Sequence, residues 1–187
     1  MDTAPRLEQL IADGLAASRE GRADAALALF SEAQALAPSS GIPAFLIASE
    51  QAGLGRMDAA EAGFANALLL APGFTLARYQ LGLLQFSSGR AAVALLTWQP
   101  LFDLPATDPL HHFVRGFAAL GQDRLHEALQ HFRAGLDRPN DNPALAADVM
   151  KIVTGIERQV APQPPDAAQQ ETPVNHVLLA GYSASLH

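Results

Sequence analysis

Apolar residues recur along the chain at the three- and four-residue spacing of amphipathic helices. Leu7, Leu10, Ile11 and Leu15 form the first such stripe, which predicts a helix from Pro5 to about Arg19. Prolines and short polar stretches interrupt the pattern at intervals, and they mark where one helix ends and the next begins. The whole pattern predicts nine helices and no sheet, with the later ones at Asp24–Leu36, Pro43–Leu54, Met57–Leu70, Thr75–Ser88, from about Ala91 to Pro100, two between Pro109 and Arg138, and Pro143–Val160.

The predicted helices belong to a repeat of 34 residues. Its most visible marker is an aromatic residue that returns four times, as Phe30, Phe64, Trp98 and Phe132. An alanine precedes each aromatic by four residues, and a small residue precedes it by sixteen: Ala26, Ala60, Ala94 and Ala128; Gly14, Ala48, Gly82 and Gly116. A period of this length is typical of helical hairpins. The small residues let two backbones approach closely, and the aromatic fills the space between successive hairpins.

Over about residues 7–142, this pattern resembles the tetratricopeptide repeat (TPR) family. The resemblance rests on the small residue of the first helix, the alanine and aromatic of the second, a turn glycine in three copies, and a closing Pro or Asn: Gly21, Gly55 and Gly89; Pro38, Pro72 and Asn140. It implies an all-α fold, a right-handed superhelical array of four hairpins. The ninth helix would close the array as a cap, because the last hairpin otherwise exposes its apolar face. We therefore expect one domain at residues 5–160.

The third copy departs from the pattern. Pro100 falls inside its second helix, where a proline loses a hydrogen bond and clashes with the preceding turn, and Ala106 replaces the closing proline. We expect that helix to kink or stop early. Two interpretations stay open: a tolerated surface kink, or a widened groove that contacts a partner.

The resemblance also implies that the first helix of each hairpin lines a concave groove. The groove-facing positions carry Ile11, Phe45, Ser49, Tyr79, Leu83, Phe86, Phe113 and Phe117. None is a Lys, Asn or Arg of the kind with which TPR domains clamp a terminal carboxylate, so the expected ligand is an apolar peptide or helix. The alternative is that several of these side chains pack between helices, because apolar residues at helical spacing are usually core.

Composition argues against some classes of partner and favours one cellular compartment. The net charge of −7 and pI near 5.2 argue against nucleic acid, which needs a basic surface. The chain has no cysteine and no apolar run of about 18 residues, so neither disulfides nor a membrane helix are expected. Residues 1–6 lack a signal-peptide pattern, which favours a cytoplasmic protein. Lys151 is the only lysine among 12 basic residues, which is typical of a GC-rich bacterial genome.

No catalytic, cofactor or metal site is predicted. His126 and His131 lie five apart, whereas the zinc-protease helix needs histidines four apart on one face. His111 and His112 are neighbours that do not share a helix face, and we expect them to be exposed or to lie between helices.

Residues 161–187 are expected to form a Pro/Gln-rich linker and a short apolar tail, Val174–Tyr182. The tail either is disordered or docks on an apolar TPR surface, its own or a neighbouring molecule's, which would produce a homo-oligomer. The sequence thus favours a protein-binding adaptor or chaperone. The alternative is a structural or regulatory subunit that mainly self-associates through its repeats and tail.

Overall fold

The computed structural model describes residues 3–139 and 142–161; Asn140 and the predicted tail lie outside the described residues. Within those ranges the chain forms nine α-helices and a short 3₁₀ helix, with no strand. The α-helices are α1 (Thr3–Arg19), α2 (Ala23–Leu36), α3 (Gly41–Gly53), α4 (Met57–Leu70), α5 (Thr75–Ser87), α6 (Ala91–Trp98), α7 (Pro109–Leu120), α8 (Leu125–Leu136) and α9 (Pro143–Val160). The prediction of an all-α fold built from helical hairpins is confirmed.

The chain divides into two compact units, with the boundary between Leu84 and Gln85 in α5. In the first unit, α1 pairs with α2, α3 pairs with α4, and α2 also packs on α3. Each hairpin has a repeat aromatic at its centre, and Phe30 and Phe64 are both 1% exposed. Phe30 packs with Ala17 and Ala26.

Phe64 belongs to a larger cluster of the first unit. Its buried neighbours come from three helices: Ala48, Ala52, Ala60, Leu81 and Leu84. The second hairpin also differs from the first in where it places its smallest residue. Ala48 takes the position that Gly14 holds in the first hairpin, and Gly63 of α4 lies opposite: a methyl group added to Gly63 would be 2.8 Å from the Ala48 Cβ.

The second unit has an aromatic core. Phe117 packs against Phe86, Trp98 and Phe132, with ring centroids 5.0–5.2 Å apart. The helix α7 pairs with α8, and α8 packs on α9. The predicted capping helix α9 buries one apolar stripe, made of Leu145, Val149, Ile152, Val153 and Ile156.

All four turns between the helices of a hairpin use one hydrogen-bond pattern. The N–H of the repeat arginine donates to the carbonyl five residues earlier, as Arg22 does to Ala17 at 2.9 Å, and the preceding N–H donates three residues back. This Schellman arrangement needs a left-handed residue just past the helix. Gly21, Gly55 and Gly89 supply it at φ 73°, 73° and 79°, and Asp123 supplies it in the fourth copy at φ 57°.

The third copy breaks where the sequence predicts. The helix α6 has eight residues, against 14 in α2 and α4, and a 3₁₀ helix, Gln99–Asp103, follows with Pro100 in its first turn. Leu101 anchors this segment and is 1% exposed. The next helix, α7, is capped by Asp108, whose carboxylate accepts a hydrogen bond from the Leu110 N–H at 2.9 Å.

Candidate functional site

The structure divides the eight predicted groove residues by exposure. Tyr79, Leu83, Phe86, Phe113 and Phe117 are buried, whereas Ile11, Phe45 and Ser49 are half-buried. The buried residues lie on α5 and α7, and the half-buried residues lie on α1 and α3. Accessible predicted positions are therefore found on the first helices of the first unit.

Phe113 and Phe117 are core residues of the second unit in this conformation, because both are 0% exposed. Phe117 belongs to the aromatic core described above. Phe113 instead lies over α8 at Gly135, where an added methyl group would be 2.4 Å from its Cε1 atom. The sequence carries a signal for this burial, since Gly135 follows the aromatic Phe132 by three residues, where the first two copies have Ala33 and Ala67.

The accessible surface begins on α1. Ile11 and Leu15 lie one turn apart on that helix, half-buried and 38% exposed respectively. The Ser18 hydroxyl, one turn further on, forms a hydrogen bond with the Glu50 carboxylate of α3. This bond links α1 directly to α3.

On α3, the half-buried Phe45 ring is supported from two sides. Its centroid is 5.6 Å from the Phe64 ring and 4.9 Å from the Phe74 ring, spacings at which aromatic pairs attract each other. Ser49 contributes little polarity, because its hydroxyl donates to the Phe45 carbonyl at 2.9 Å. We call Ile11, Leu15, Phe45 and Ser49 the first-helix surface.

The paired charges of the first unit lie at solvent-exposed positions. Arg6 contacts Glu32 at 3.3 Å and Arg22 contacts Glu20 at 2.6 Å, with all four side chains about 60% exposed. Exposed pairs of this kind contribute about 0–1 kcal/mol each. The four residues of the first-helix surface are themselves uncharged.

The rings of His111, His112 and His131 lie together where α7 packs on α8. The His111 and His112 rings are 5.1 Å apart and nearly perpendicular, and the His112 ring is 6.3 Å from that of His131. His126 is exposed. In the part of the chain that the structure describes, no three His, Cys, Asp or Glu side chains are arranged to hold a metal ion.

None of the described helices combines the length and the apolar character that a membrane-spanning helix requires.

Comparison with solved structures identifies the fold. A structure of MamA from Desulfovibrio magneticus RS-1, spanning residue 41 to the end of that protein, is 18% identical; the match covers 87% of this chain and 99% of that one, at a TM-score of 0.58. Another MamA crystal structure is 21% identical; the match covers 70% of this chain and 77% of that one, at a TM-score of 0.57.

YrrB, a TPR protein described as having an unusual peptide-binding site, is 17% identical, with 97% of this chain and 91% of that chain covered at a TM-score of 0.56. No family model matches the sequence, and no curated protein does. The structural likenesses show that the chain has the TPR fold, as the sequence pattern predicts.

Proposed function

We propose that this chain is a protein-interaction module, an adaptor or chaperone, that binds an apolar peptide or amphipathic helix on the first-helix surface. TPR folds usually mediate protein–protein interaction, and among solved structures of this fold YrrB is described as having a peptide-binding site. The observation that carries the proposal is the accessible apolar surface of α1 and α3, centred on Ile11, Leu15 and Phe45.

The arrangement of that surface suits a ligand helix better than a charged peptide end. Ile11 and Leu15 are one turn apart, so they present two neighbouring apolar contacts along α1. Amphipathic helices bind grooves through anchors with the same spacing. Phe45 is held between Phe64 and Phe74, so little side-chain freedom would be lost when a ligand packs against it.

The test compares two double variants of the first unit. Ile11→Glu with Leu15→Glu places two charges on the first-helix surface. Leu36→Glu with Leu69→Glu places two charges on the second helices α2 and α4, where these leucines are 41% and 81% exposed. We expect a stoichiometric partner to co-purify with the wild type and the second variant, and to be lost from the first. Circular dichroism checks that both variants fold.

Loss of the partner from the Leu36/Leu69 variant alone would move the binding site to the second helices and contradict the proposal. Equal retention by both variants would also contradict it. A photoreactive residue in place of Ser49 gives an independent readout, because cross-linking there requires the partner to touch α3.

Self-association is the second candidate function, and the exposed leucines of the second helices favour it. Leu69 of α4 and Leu96 of α6 are 81% and 73% exposed, so each offers an apolar side chain that a second copy could cover. If these residues join two copies, Leu69→Glu with Leu96→Glu lowers the sedimentation mass of the wild-type oligomer to that of a monomer. A wild type that sediments as a monomer at high concentration would exclude this function.

A further inference from the structure

The three histidines between α7 and α8, together with Arg115, form what we call the histidine cluster: His111, His112, Arg115 and His131. Two of its buried ring atoms, Nδ1 of His111 and Nδ1 of His112, have no hydrogen-bond partner of good geometry among the described residues. Buried polar atoms are normally paired, because desolvation without a hydrogen bond is costly. This cluster is therefore sensitive to any change in protonation.

The contact between Arg115 and His111 requires a neutral imidazole. Arg115 Nε donates to His111 Nε2 at 3.0 Å. A guanidinium can only donate, and it does not lose its proton in proteins. The accepting Nε2 must therefore carry a lone pair. A proton added there would break the hydrogen bond and place an imidazolium directly against the guanidinium.

His112 contacts the chain before α7 directly. Its Nε2 lies 2.9 Å from the Ala106 carbonyl oxygen, so Nε2 carries the hydrogen and donates it. Its buried Nδ1 has no hydrogen-bond partner among the described residues.

His112 and Arg115 hold the chain between the 3₁₀ helix and α7, and His111 accepts a hydrogen bond from Arg115 within α7. Arg115 Nη2 lies 3.5 Å from the Phe102 carbonyl oxygen, and its guanidinium lies 5.8 Å from the centre of the Phe102 ring. His112 holds Ala106. The segment from Phe102 to Asp108 is the irregular part of the third copy, and these side-chain contacts add to the anchor that the buried Leu101 provides.

The groups around the cluster shift the pKa values of His111 and His131 in opposite directions. Burial, followed by the Arg115 charge, lowers the pKa of His111, while the Leu104 backbone and the Asp108 carboxylate act in the opposite direction. Burial also lowers the pKa of His131; Glu127 counters it, and His112, Arg115 and His111 add to it. The counteracting carboxylate on α8 is 3.9 Å from His131 Nε2 and is itself bound to Arg124.

From this geometry we infer that the histidine cluster is a proton-sensitive latch: while neutral it holds segment 102–108 against α7, and on acidification it releases that segment. The direction follows from the pKa values, because groups that titrate lower in the folded protein stabilise it above their unfolded pKa near 6.5. That stability is lost as the pH falls below this value. The released stretch would change the surface at the start of α7.

Hydrogen exchange of peptides covering 102–108 tests the latch, with rates corrected for the intrinsic pH dependence. The wild type should lose protection between pH 7.5 and pH 5, while peptides from α1 and α2 should not change. The variant His111→Gln with His112→Gln keeps an acceptor for Arg115 and a donor for Ala106 but no longer titrates at those two positions. Because His131 remains, this variant should lose less protection than the wild type. His126→Gln removes an exposed histidine of α8 and should behave as the wild type.

A pH-independent wild type would overturn the inference, as would a double variant that loses protection as the wild type does. Equal loss in peptides of both units would also overturn it, since that pattern means global unfolding. If the double variant fails to fold, the Cε1–H resonances of the wild-type histidines decide the matter. His111 and His131 that titrate at or above pH 6.5 would exclude the latch.

Discussion

Gly116 of α7 and Phe132 of α8 pack so closely that a methyl group on Gly116 would lie 2.6–2.9 Å from three atoms of the Phe132 ring. Atoms of side chains do not approach this closely, and the ring has no free space because Phe132 is 0% exposed. Gly14 and Phe30 stand in the same relationship in the first hairpin, at 2.4 Å. The sixteen-residue spacing between small residue and aromatic thus corresponds to a direct contact between the two helices of a hairpin.

Gly116→Ala should therefore lower the free energy of unfolding by about 1–3 kcal/mol, the usual effect of overpacking a core. Gly53→Ala is the matched control: Gly53 also lies in a first helix, and a methyl group there would meet nothing within 4 Å. Because alanine favours helix by up to about 1 kcal/mol over glycine, this control should be neutral or stabilising. Urea denaturation measures both, and an equal response would show that Gly116 tolerates a side chain.

Phe64→Ala should lower the free energy of unfolding by about 3–5 kcal/mol, because it leaves a cavity among the alanines and leucines of the first unit. The ring is 1% exposed, and its neighbours Ala48 and Ala60 are too small to fill the space. Denaturant unfolding again gives the value. A loss below about 1 kcal/mol would mean that the first unit closes around the missing ring.

The third prediction concerns the turn between the helices of a hairpin. Gly89→Ala should cost about 1–2 kcal/mol, because a left-handed conformation is unfavourable for a residue with a Cβ, and nothing within 4 Å would clash with that Cβ. Asp123→Gly should raise stability by about 0.5–1 kcal/mol, since it relieves the same strain at φ 57°. Thermal unfolding compares the two; changes of the same sign would contradict the conformational explanation.

The fourth prediction decides whether the break in the third copy is a packed element or a surface kink. Leu101→Ala should cost about 2–5 kcal/mol, as for other buried leucines, because this side chain is 1% exposed. Pro100→Ala, at an exposed neighbour in the same 3₁₀ helix, should cost only about 0.4–1 kcal/mol through the freedom of the unfolded chain. A small effect of both changes would favour the surface kink.

Local chemistry made much of the fold predictable. Pro100 shortens α6, and Asp108 caps α7 next to Pro109, because each effect depends on one residue and its immediate neighbours. The burial of the repeat aromatics was also predictable, because a residue type that recurs at the same spacing in four copies indicates the same contact in each hairpin. Helix bounds and core positions follow from such signals.

The candidate site was less predictable because it depends on what faces each side chain. Phe45 and Phe113 occupy equivalent places in their repeats, yet Phe45 is half-buried and Phe113 has no exposed surface. The difference coincides with Gly135, which opens space on α8 for the Phe113 ring. The grouping of His112 with His131 likewise requires the relative positions of α7 and α8, which the spacing within either helix does not give.

The exchange between Ala48 and Gly63 has a consequence for how this chain could evolve. In the second hairpin the first helix carries Ala48 at the contact, and the second helix carries Gly63, which leaves space for the Ala48 methyl group. A crossover inside a hairpin, joining α3 to the second helix of another copy, would bring Ala48 against Leu29 or His131 in place of Gly63. A crossover in the loops between hairpins would keep each matched pair together. Exchange of the whole hairpin therefore preserves the fit at this contact, whereas exchange of α3 alone would create a steric conflict at Ala48.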